Sequence, residues 1–417
     1  MDQPLPLHAG EPRLFCDLTQ SWSDVGGGVG TYLRAKRAHL LENTSDRHLM
    51  ILPGASDGVE QSACGRAVIA WIGSPHVPFS PHYRLLVRNG AVREALKRFA
   101  PDVIECQDAY NLPWAALAHR KRHPETALVA GYMTDFPTVY AERPFSKAFG
   151  EAVGRWAGRT CYDYCGRLYR QFDAVYALSN HGGGNRLREL GVDPVHVLPL
   201  GVELDAFGPQ HRDESLRREL GVSPGEPLLI YVGRMDMEKR PDIVVEAFRK
   251  LPAQLGARLV LLGQGPIKEQ FEKEADPRIV TPGFVTDRQQ LARWLASSDL
   301  YVSAMANETF GVSVIEAQAS GLPVVGVAGG AMTERVKPGM GFLGPVGDAD
   351  AMSANILAVW NGDHRDMGQR GRAHVAGEFS WAHSMDVLFG EIVPAALARR
   401  ARARGADLPS ASTLARA

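Results

Sequence analysis

The chain has 417 residues, of which 45% are hydrophobic and 22% are charged. This length exceeds one ordinary hydrophobic core and predicts two domains, and the composition excludes an intrinsically disordered protein. With 46 basic against 47 acidic residues, the charge gives no indication of a nucleic-acid partner.

Short apolar runs alternate with helix-like stretches in the first half of the chain, which is the pattern of a parallel α/β domain. The predicted strands are residues 13–18, 48–52, 103–106, 128–132, 174–178 and 195–198. The predicted helices between them are residues 31–41, 83–99 and 151–170. This series forms a predicted first domain, residues 1–200.

A second alternating series predicts another α/β domain, residues 226–383. Its predicted strands are residues 228–232, 258–262, 279–282, 300–303 and 323–327, and its predicted helices are residues 241–250, 266–275, 288–296 and 312–320. Prolines and charged residues accumulate at 201–225, which we predict to be a hinge. A last helix, 384–402, precedes an Ala/Ser/Pro-rich tail, 403–417, that we predict to be disordered.

The N-terminal residues, the apolar runs and the cysteines indicate where in the cell the protein is expected. The N-terminal residues are polar and proline-bearing, unlike a signal peptide, and no apolar run approaches the ~20 residues of a membrane-spanning helix. Five scattered cysteines lack the spacing of a metal site and predict reduced thiols. We therefore expect a cytoplasmic protein, with any membrane contact peripheral on the inner face of the cell membrane.

Two loops follow predicted strands and carry candidate ligand-binding residues. Residues 24–32, DVGGGVGTY, place glycines where the backbone can approach a ligand closely, although their spacing does not fit a dinucleotide fingerprint. Residues 231–241 present Arg234 and Lys239 after a strand. Two cations there suit a leaving diphosphate, whose charge grows as its bond to a sugar breaks. Ordinary surface charges remain the alternative for this pair.

Two glutamates flank the start of the predicted helix 312–320. Glu308 precedes it, Glu316 lies inside it, and seven residues separate them. A small-residue turn that opens a helix offers unpaired N–H groups to a phosphate. Because a carboxylate would repel that phosphate, a sugar hydroxyl is the better partner for Glu308, and a ribose hydroxyl is within reach of Glu316. Two glutamates on a solvated helix face remain the alternative.

Residues 308–334, ETFGVSVIEAQASGLPVVGVAGGAMTE, resemble the signature of family 4 glycosyltransferases. The resemblance implies the GT-B fold, in which two Rossmann-like doubly wound domains face a central cleft and the C-terminal helix crosses back. The N-terminal domain then binds the acceptor and the C-terminal domain binds a nucleotide sugar. The implied roles are the donor sugar for Glu308, the ribose for Glu316, and the diphosphate for the backbone of Phe310, Gly311 and Val312.

Other motifs extend the resemblance over nearly the whole chain. The loop GRMDMEK resembles the family's cationic loop, which implies diphosphate contacts for Arg234 and Lys239. The run GGVGTYL resembles the loop that faces donor phosphate and acceptor, and it implies this position for Gly27 and Gly28. The run GQGP implies that Gly263 borders the nucleotide base, with Phe284 and Val285 near that base.

One motif departs from the family pattern. Residues 132–140, YMTDFPTVY, are similar to a stretch of lipid-active sulfolipid synthases and mannosyltransferases, but Met133 replaces a histidine that contacts the donor sugar. The replacement indicates an unusual donor or a loss of activity. Asp135 is the titratable group nearby, and it is predicted either to make a polar contact at the catalytic site or to have a structural role at the strand end.

The predicted helix 83–99 is a candidate acceptor or membrane contact, because its apolar residues are accompanied by basic ones. These are Arg84, Arg88, Arg93, Lys97 and Arg98, and Met133 is a further candidate for an acceptor or membrane contact. An amphipathic helix packed on its own sheet explains the same pattern.

The resemblance implies a retaining hexosyltransferase that moves a hexosyl or uronosyl group from a UDP- or GDP-linked sugar to a hydroxyl of a membrane lipid or glycolipid. In the family's proposed mechanism the leaving phosphate takes the proton of the acceptor, so we expect no cofactor and no metal. The alternatives are a polysaccharide or small-molecule acceptor, a nucleotide-sugar epimerase, an inactive nucleotide-sugar-binding protein and, with its poor glycine fingerprint, a dinucleotide-dependent oxidoreductase.

Overall fold

A computed structural model describes residues 12–23, 27–77 and 80–405. The chain divides into two compact units, one formed by Met1–Leu198 with Ser384–Ala417 and the other by Pro199–His383. Residues 24–26 of the glycine-rich loop lie outside the described residues. The same is true of residues 406–417, most of the tail predicted to be disordered.

The first unit is built on an eight-stranded sheet of order β10-β9-β8-β7-β1-β2-β4-β3, which is parallel except for the β3–β4 pair. A two-stranded antiparallel sheet, β5-β6, accompanies it. The strands are β1 (Leu14–Leu18), β2 (Arg47–Gly54), β3 (Gly58–Gln61), β4 (Ala67–Gly73), β5 (His76–Val77), β6 (Ser80–Arg84), β7 (Val103–Cys106), β8 (Ala127–Tyr132), β9 (Ala174–Ala177) and β10 (Val195–Val197).

Helices connect these strands. They are α1 (Gly28–Asn43), α2 (Asn89–Phe99), α3 (Leu112–Arg120), α4 (Arg143–Phe149), α5 (Glu151–Tyr169) and α6 (Asn185–Glu189), with π-helical turns at Thr138–Glu142 and Asn180–Gly184. Every residue of β1, β7, β8 and β9 is buried, as expected for parallel strands covered on both faces. Within the described ranges, no helix has both the length and the apolar character needed to cross a bilayer.

The predicted helix 83–99 is wrong in its first part. Arg84 ends β6, and the helix begins only at Asn89. Gly90 lies in the first turn of α2 and is a weak helix former. The helix therefore does not continue toward the N-terminus through residues 85–88, although their apolar side chains suggested that it would. Val92 and Leu96 of α2 are buried in the core of the first unit, so the helix directs these apolar side chains toward its own domain.

The second unit has a six-stranded, fully parallel sheet of order β13-β12-β11-β14-β15-β16. Its strands are β11 (Leu228–Val232), β12 (Arg258–Leu262), β13 (Ile279–Gly283), β14 (Leu300–Val302), β15 (Val324–Val327) and β16 (Gly341–Gly344). Its helices are α7 (Glu214–Glu219), α8 (Pro241–Arg249), α9 (Lys268–Glu274), α10 (Arg288–Ser297), α11 (Val312–Ala319), α12 (Met332–Arg335), α13 (Ala349–Asn361) and α14 (His364–Glu378), with 3₁₀ turns at Pro209–His211 and Ala253–Leu255.

The chain passes from the first unit to the second at Leu198–Pro199 and returns at His383–Ser384. Residues 201–225 belong to the second unit, where the buried Arg217 donates to Asp299 at 2.8 Å; their action as a hinge stays a prediction. The C-terminal helical segment comprises α15 (Trp381–Val387), a π-helical turn (Leu388–Ile392) and α16 (Val393–Ala403). It returns the chain to the first unit, where the ring of Phe389 lies 5.3 Å from that of Phe15.

Each large parallel sheet has a point where the direction of strand addition reverses. In the first unit, β7 joins β1 on the side opposite β2. In the second unit, β14 joins β11 on the side opposite β12. Ligands of open α/β sheets bind beyond the carboxyl ends of the strands at such switch points. The loops after β11 and β14, and those after β1 and β7, are therefore where a site is expected.

Candidate active site

The loops after β11 and β14 bring Lys239 and Glu308 together at the switch point of the second unit. The Nζ atom of Lys239 lies 3.0 Å from Oε2 of Glu308. The Glu308 carboxylate also accepts hydrogen bonds from the backbone N–H groups of Phe310 and Gly311. Burial by itself raises the pKa of Glu308, but the charge and hydrogen bond of Lys239 and these two N–H groups together hold it below its ordinary value.

Glycines allow the Glu308 loop to fold in this way. Gly311 has φ +86° and immediately precedes α11. Gly330 has φ +51°, and a Cβ atom there would lie 2.5 Å from the carbonyl oxygen of Glu308. The N–H of Ala331 donates to that same carbonyl at 2.7 Å. The double glycine of the signature is therefore required for the close packing that seats the Glu308 backbone.

Arg335 fixes the other side of this loop. Its Nε donates to the carbonyl of Phe310 at 2.9 Å, and its guanidinium lies 4.3 Å from the ring centroid of Phe310 and 4.6 Å from that of Phe379. Burial lowers the pKa of Arg335 to about 10, which leaves it charged at neutral pH. The sequence alone did not indicate Arg335, because it lies one position beyond the signature at residues 308–334 and belongs to no motif of its own.

Arg234 takes a different position from Lys239. Its guanidinium is exposed, and it donates to Asp236 at 2.6 Å and to Glu238 at 2.7 Å, both within its own loop. Its carbonyl accepts a hydrogen bond from the buried Tyr231 hydroxyl at 2.7 Å. The structure thus brings Lys239 to Glu308 and holds Arg234 with two carboxylates of its own loop. The diphosphate contact of Arg234 stays a prediction.

The loop after β12 supports the cationic loop. Gly263 has φ +153°, and a Cβ atom there would lie 1.9 Å from the carbonyl oxygen of Gly233. At Gly265 a Cβ atom would lie 2.2 Å from the carbonyl oxygen of Met235, whose N–H donates to Gln264 at 2.8 Å. The G-x-G run is therefore shaped by its contact with the backbone that leads to Lys239.

Gly263→Ala is expected to lower the free energy of unfolding by about 2–3 kcal/mol, since the methyl group would collide with backbone in a strained conformation. Urea unfolding measures the loss. Gly225→Ala is the matched control, because Gly225 also has positive φ but has no atom near its added Cβ. A loss at Gly263 no larger than at Gly225 would contradict the role assigned to this contact.

Glu316 is buried on α11 and lies beside Arg288. The Arg288 Nη1 atom is 3.5 Å from Oε1 of Glu316, and its Nε is 3.5 Å from Oε2 of Glu203. Burial raises the pKa of Glu316 to about 7, since the nearby Arg288 opposes this rise only in part and Glu203 adds to it. Arg288 could not be identified from the sequence, because both of its carboxylate partners are distant in the chain.

Glu316→Gln is expected to stabilise the ligand-free protein at pH 8 and not at pH 5. Because the pKa of Glu316 rises from 4.5 to about 7 on folding, the folded protein keeps a proton that the unfolded chain has lost between these values. Stability therefore falls as pH rises through that window, by roughly 3 kcal/mol in all, and glutamine removes the cost. Thermal unfolding at both pH values measures the difference. The exposed Glu219 supplies the control, Glu219→Gln, and equal gains at pH 5 and pH 8 would contradict the prediction.

In the first unit, the glycine-rich loop leads into α1. Gly27 has φ +115°, and a Cβ atom there would lie 3.3 Å from the Tyr83 hydroxyl; Gly28 is the first residue of α1. The chain before this loop is held by the buried Asp108, which follows β7. Its carboxylate accepts from the Thr19 hydroxyl at 2.8 Å and from the Ser21 hydroxyl at 2.6 Å.

A buried charged network ties α1 to the sheet. Lys36 Nζ lies 2.8 Å from Asp17 and 2.7 Å from Glu105, and the Tyr176 hydroxyl donates to Glu105 at 2.6 Å. Burial by itself raises the pKa of Asp17, but Lys36 and His48 lower it to about 2. Burial lowers the pKa of Lys36, but its two carboxylate partners raise it to about 12.

Of the two roles predicted for Asp135, the structure shows contacts that fit the structural one. Its Oδ1 atom accepts hydrogen bonds from the Tyr132 and Tyr162 hydroxyls, each at 2.7 Å. Contact of Asp135 with a donor stays a prediction. Met133 is buried, with 7% of its surface exposed, and its candidate role at an acceptor or membrane contact stays a prediction.

The remaining predicted residues lie apart from the Lys239–Glu308 pair or at the surface. Phe284 follows β13 with 58% of its surface exposed. Arg84 donates to the Ser74 carbonyl at 2.8 Å and helps to line a cavity of about 550 Å³ that is also lined by Trp22, Trp71, His76 and His82. Arg88 donates to Asp57 at 3.0 Å. Arg93, Lys97 and Arg98 are exposed on α2, and Val285 is half-buried.

Comparison with known proteins gives matches in both halves of the chain. Residues 26–206 match the family model "Glycosyltransferase Family 4", and residues 226–361 match "Glycosyl transferases group 1". A GDP-mannose-dependent α-mannosyltransferase of Mycobacterium tuberculosis (strain CDC 1551 / Oshkosh) is 30% identical over 74% of this chain and 75% of its own length.

The chain is also similar to a second mannosyltransferase in sequence and to a solved structure in fold. A GDP-mannose-dependent α-(1-6)-phosphatidylinositol dimannoside mannosyltransferase of Mycobacterium tuberculosis (strain ATCC 25177 / H37Ra) is 28% identical over 68% of this chain and 72% of its own length. The structure of a sucrose-phosphate synthase from Thermosynechococcus elongatus superposes with a TM-score of 0.72 at 20% identity, covering 92% of this chain and all of that one. The predicted architecture of two Rossmann-like domains is confirmed.

Proposed function

Because this chain belongs to glycosyltransferase family 4 and has the GT-B fold, we propose that it transfers a hexosyl or uronosyl group to a hydroxyl of a membrane lipid or glycolipid. The donor is a nucleoside diphosphate sugar, the anomeric configuration is retained, and no metal ion or other cofactor takes part. The observation that carries the proposal is the Lys239–Glu308 pair at the switch point of the second unit.

Under this proposal the two members of the pair bind different parts of the donor: Lys239 binds the diphosphate and Glu308 binds the sugar. Lys239 neutralises the diphosphate as the glycosidic bond breaks, and Arg234 exchanges its carboxylate partners for the same group. The first turn of α11, which begins at Val312, offers backbone N–H groups to the phosphate, and those of Phe310 and Gly311 exchange the Glu308 carboxylate for it. Glu308 accepts hydrogen bonds from hydroxyls of the sugar, and Glu316 accepts them from the ribose.

The proposed chemistry needs no protein nucleophile. The acceptor oxygen attacks the anomeric carbon on the face from which the diphosphate departs, and its proton passes to an oxygen of that leaving group. One C–O bond breaks and one forms on the same face, so the configuration is kept. The lysine and arginine side chains supply the positive charge that a metal ion provides in other transferases.

The donor is proposed to carry guanine or uracil, with GDP-mannose the first to test, because the two relatives described above are GDP-mannose-dependent. The exposed ring of Phe284 offers a stacking surface for either base. A lipid acceptor is supported by the relative that acts on a phosphatidylinositol dimannoside. The cavity that Arg84 helps to line in the first unit is the proposed place for the polar part of that acceptor.

Thermal unfolding with a panel of UDP- and GDP-sugars tests the donor, and transfer of radiolabelled sugar to membrane lipid extracts tests the acceptor. We expect one donor to raise the melting temperature, labelled lipid to form in the presence of EDTA, and NMR of the product to show the anomeric configuration of the donor. An inverted product would reject the mechanism, and loss of transfer in EDTA would reject metal independence. Label found only in polysaccharide or in a small molecule would reject the lipid acceptor.

A further inference from the structure

The hairpin formed by α4 and α5 carries an unusual concentration of exposed apolar side chains. Among the described residues fourteen large hydrophobic side chains are exposed, and five of them fall within residues 140–156. Phe149 and Trp156 are 67% and 65% exposed. The five side chains, which we call the hairpin surface, are Tyr140, Phe145, Phe149, Val153 and Trp156.

The packing of the hairpin explains why these side chains face solvent. α4 and α5 are joined by Gly150 and pack closely through glycines. A Cβ atom at Gly154 would lie 1.8 Å from the Ser146 hydroxyl oxygen, and one at Gly158 would lie 2.6 Å from a Glu142 carboxylate oxygen. Because small residues fill the inner face, the hairpin does not use its large side chains to hold itself together.

Four of the five side chains lie on the exposed sides of α4 and α5, and Tyr140 lies in the π-helical turn before α4. Phe145 and Phe149 are four residues apart on α4, with ring centroids 5.8 Å apart. Val153 and Trp156 are three residues apart on α5, so they also share a side of their helix. Exposed apolar residues are normally scattered singly over a protein surface. Two phenylalanines and a tryptophan exposed on one short hairpin form a cluster instead.

The charges around the hairpin surface are unbalanced. Lys147, Arg155 and Arg159 are exposed, and within the described part of the chain they form no ion pair. Of the three carboxylates at residues 142–169, two are used locally, since Glu142 packs against Gly158 and Glu151 accepts from the Ser146 hydroxyl at 3.5 Å. The third, Asp163, is exposed on α5. The three cations outnumber this one exposed carboxylate, so the hairpin combines exposed aromatic rings with a net positive charge.

We infer that the hairpin surface docks on an anionic lipid bilayer, with Phe149 and Trp156 inserted at the level of the headgroups and the three cations against lipid phosphates. Aromatic rings favour the membrane interface, and each cation near an anionic surface adds to binding. The inference rests on the proposed lipid acceptor and assigns the membrane contact to this hairpin. It replaces α2, whose Val92 and Leu96 are buried in the core.

Charge also argues against a second copy of this chain as the occupant. In a two-fold dimer the same patch lies on both subunits, so Lys147, Arg155 and Arg159 would be brought near the same three cations of the other subunit. Like charges brought together without counterions oppose association. An anionic bilayer supplies apolar depth and negative charge together.

Co-sedimentation with vesicles of phosphatidylglycerol and phosphatidylcholine tests the inference in the full chain. We expect the double variant Phe149→Ser/Trp156→Ser to bind these vesicles at least about tenfold more weakly than the unchanged protein. The triple variant Arg93→Gln/Lys97→Gln/Arg98→Gln on α2 is the control and is expected to bind within about twofold of it. Equal loss in both variants, or loss in the α2 variant alone, would overturn the assignment.

Lipids brominated at known depth provide a second measurement. They are expected to quench tryptophan fluorescence in the unchanged protein, and Trp156→Phe is expected to remove most of that quenching. Quenching that persists in Trp156→Phe would overturn the insertion of this ring. A dimer that becomes a monomer in the double variant, detected by analytical ultracentrifugation without lipid, would overturn the lipid assignment in favour of self-association.

Failure of the inference is separable from failure of the proposed function. The double variant is expected to keep the donor-induced rise in melting temperature, because the hairpin lies in the first unit and the Lys239–Glu308 pair in the second. Vesicle binding through the hairpin without labelled lipid would reject the lipid acceptor and retain the docking surface. Lipid glycosylation by an enzyme whose vesicle binding ignores the double variant would retain the function and reject the surface.

Discussion

Lys239→Ala is expected to reduce the rate of glycosyl transfer by about 100- to 1,000-fold, the usual effect of removing one group that stabilises growing negative charge. The side chain contacts Glu308 across 69 residues of chain, and both lie in loops at the carboxyl ends of adjacent strands. Steady-state transfer of labelled sugar measures the effect, and circular dichroism checks the fold. Lys250→Ala is the control, because Lys250 forms a surface ion pair with Asp350 at 2.6 Å.

Glu308→Ala distinguishes the contribution of sugar binding from that of nucleotide binding. This variant is expected to lose transfer to a similar extent yet still to be stabilised by the nucleoside diphosphate alone, since Lys239 remains. Lys239→Ala is expected to lose both transfer and stabilisation by the diphosphate. Undiminished turnover in either variant would remove the proposed mechanism.

Lys36→Met is expected to lower the free energy of unfolding by about 3–5 kcal/mol, because it leaves two buried carboxylates without their cation. Asp17 and Glu105 are almost wholly buried and both contact the Lys36 ammonium. Urea unfolding at pH 7 measures the loss. Lys97→Met, at an exposed position on α2, is the control and is expected to change stability by less than about 0.5 kcal/mol.

The pH dependence of this network follows from the two shifted pKa values. The Asp17 contribution is complete above its unfolded pKa of 3.8 and is lost as pH falls toward about 2. The Lys36 contribution is complete below 10.5 and is lost as pH rises through about 12. In Lys36→Met the loss of the cation raises the pKa of the buried carboxylates, so the deficit is expected to be smaller at pH 4 than at pH 7. A deficit that disappears at pH 7 would contradict the role assigned to Lys36.

Most of the central strands could be predicted because both of their faces are buried. β11, with the sequence LLIYV, has no polar position and is read from composition alone. The region between β2 and α2 could not be read in this way. β3 is exposed throughout and β4 is only partly buried, so neither carries the continuous apolar signal that identified the others.

The candidate site was predictable only where it is local in the chain. The spacing of Glu308 and Glu316 at the start of α11 is a local pattern, and so is the loop that presents Lys239. The contact between the two loops depends on the strand order of the sheet. β14 lies beside β11, while β12 and β13, which come between them in the chain, lie on the other side of β11. Arg288 and Arg335 left no signal for the same reason, since each acts through partners that only the folded sheet brings near.

The contact between Lys239 and Glu308 exists before any substrate arrives, and this affects how the loop responds to one. A lysine side chain on a free loop samples many rotamers, and ordering it at the moment of binding opposes association. Here that entropy is lost during folding, because the ammonium is already anchored to a carboxylate. Under the proposed mechanism, an incoming diphosphate would have only to exchange one partner of an immobilised cation, so the ligand-free protein would already be preorganised for its leaving group.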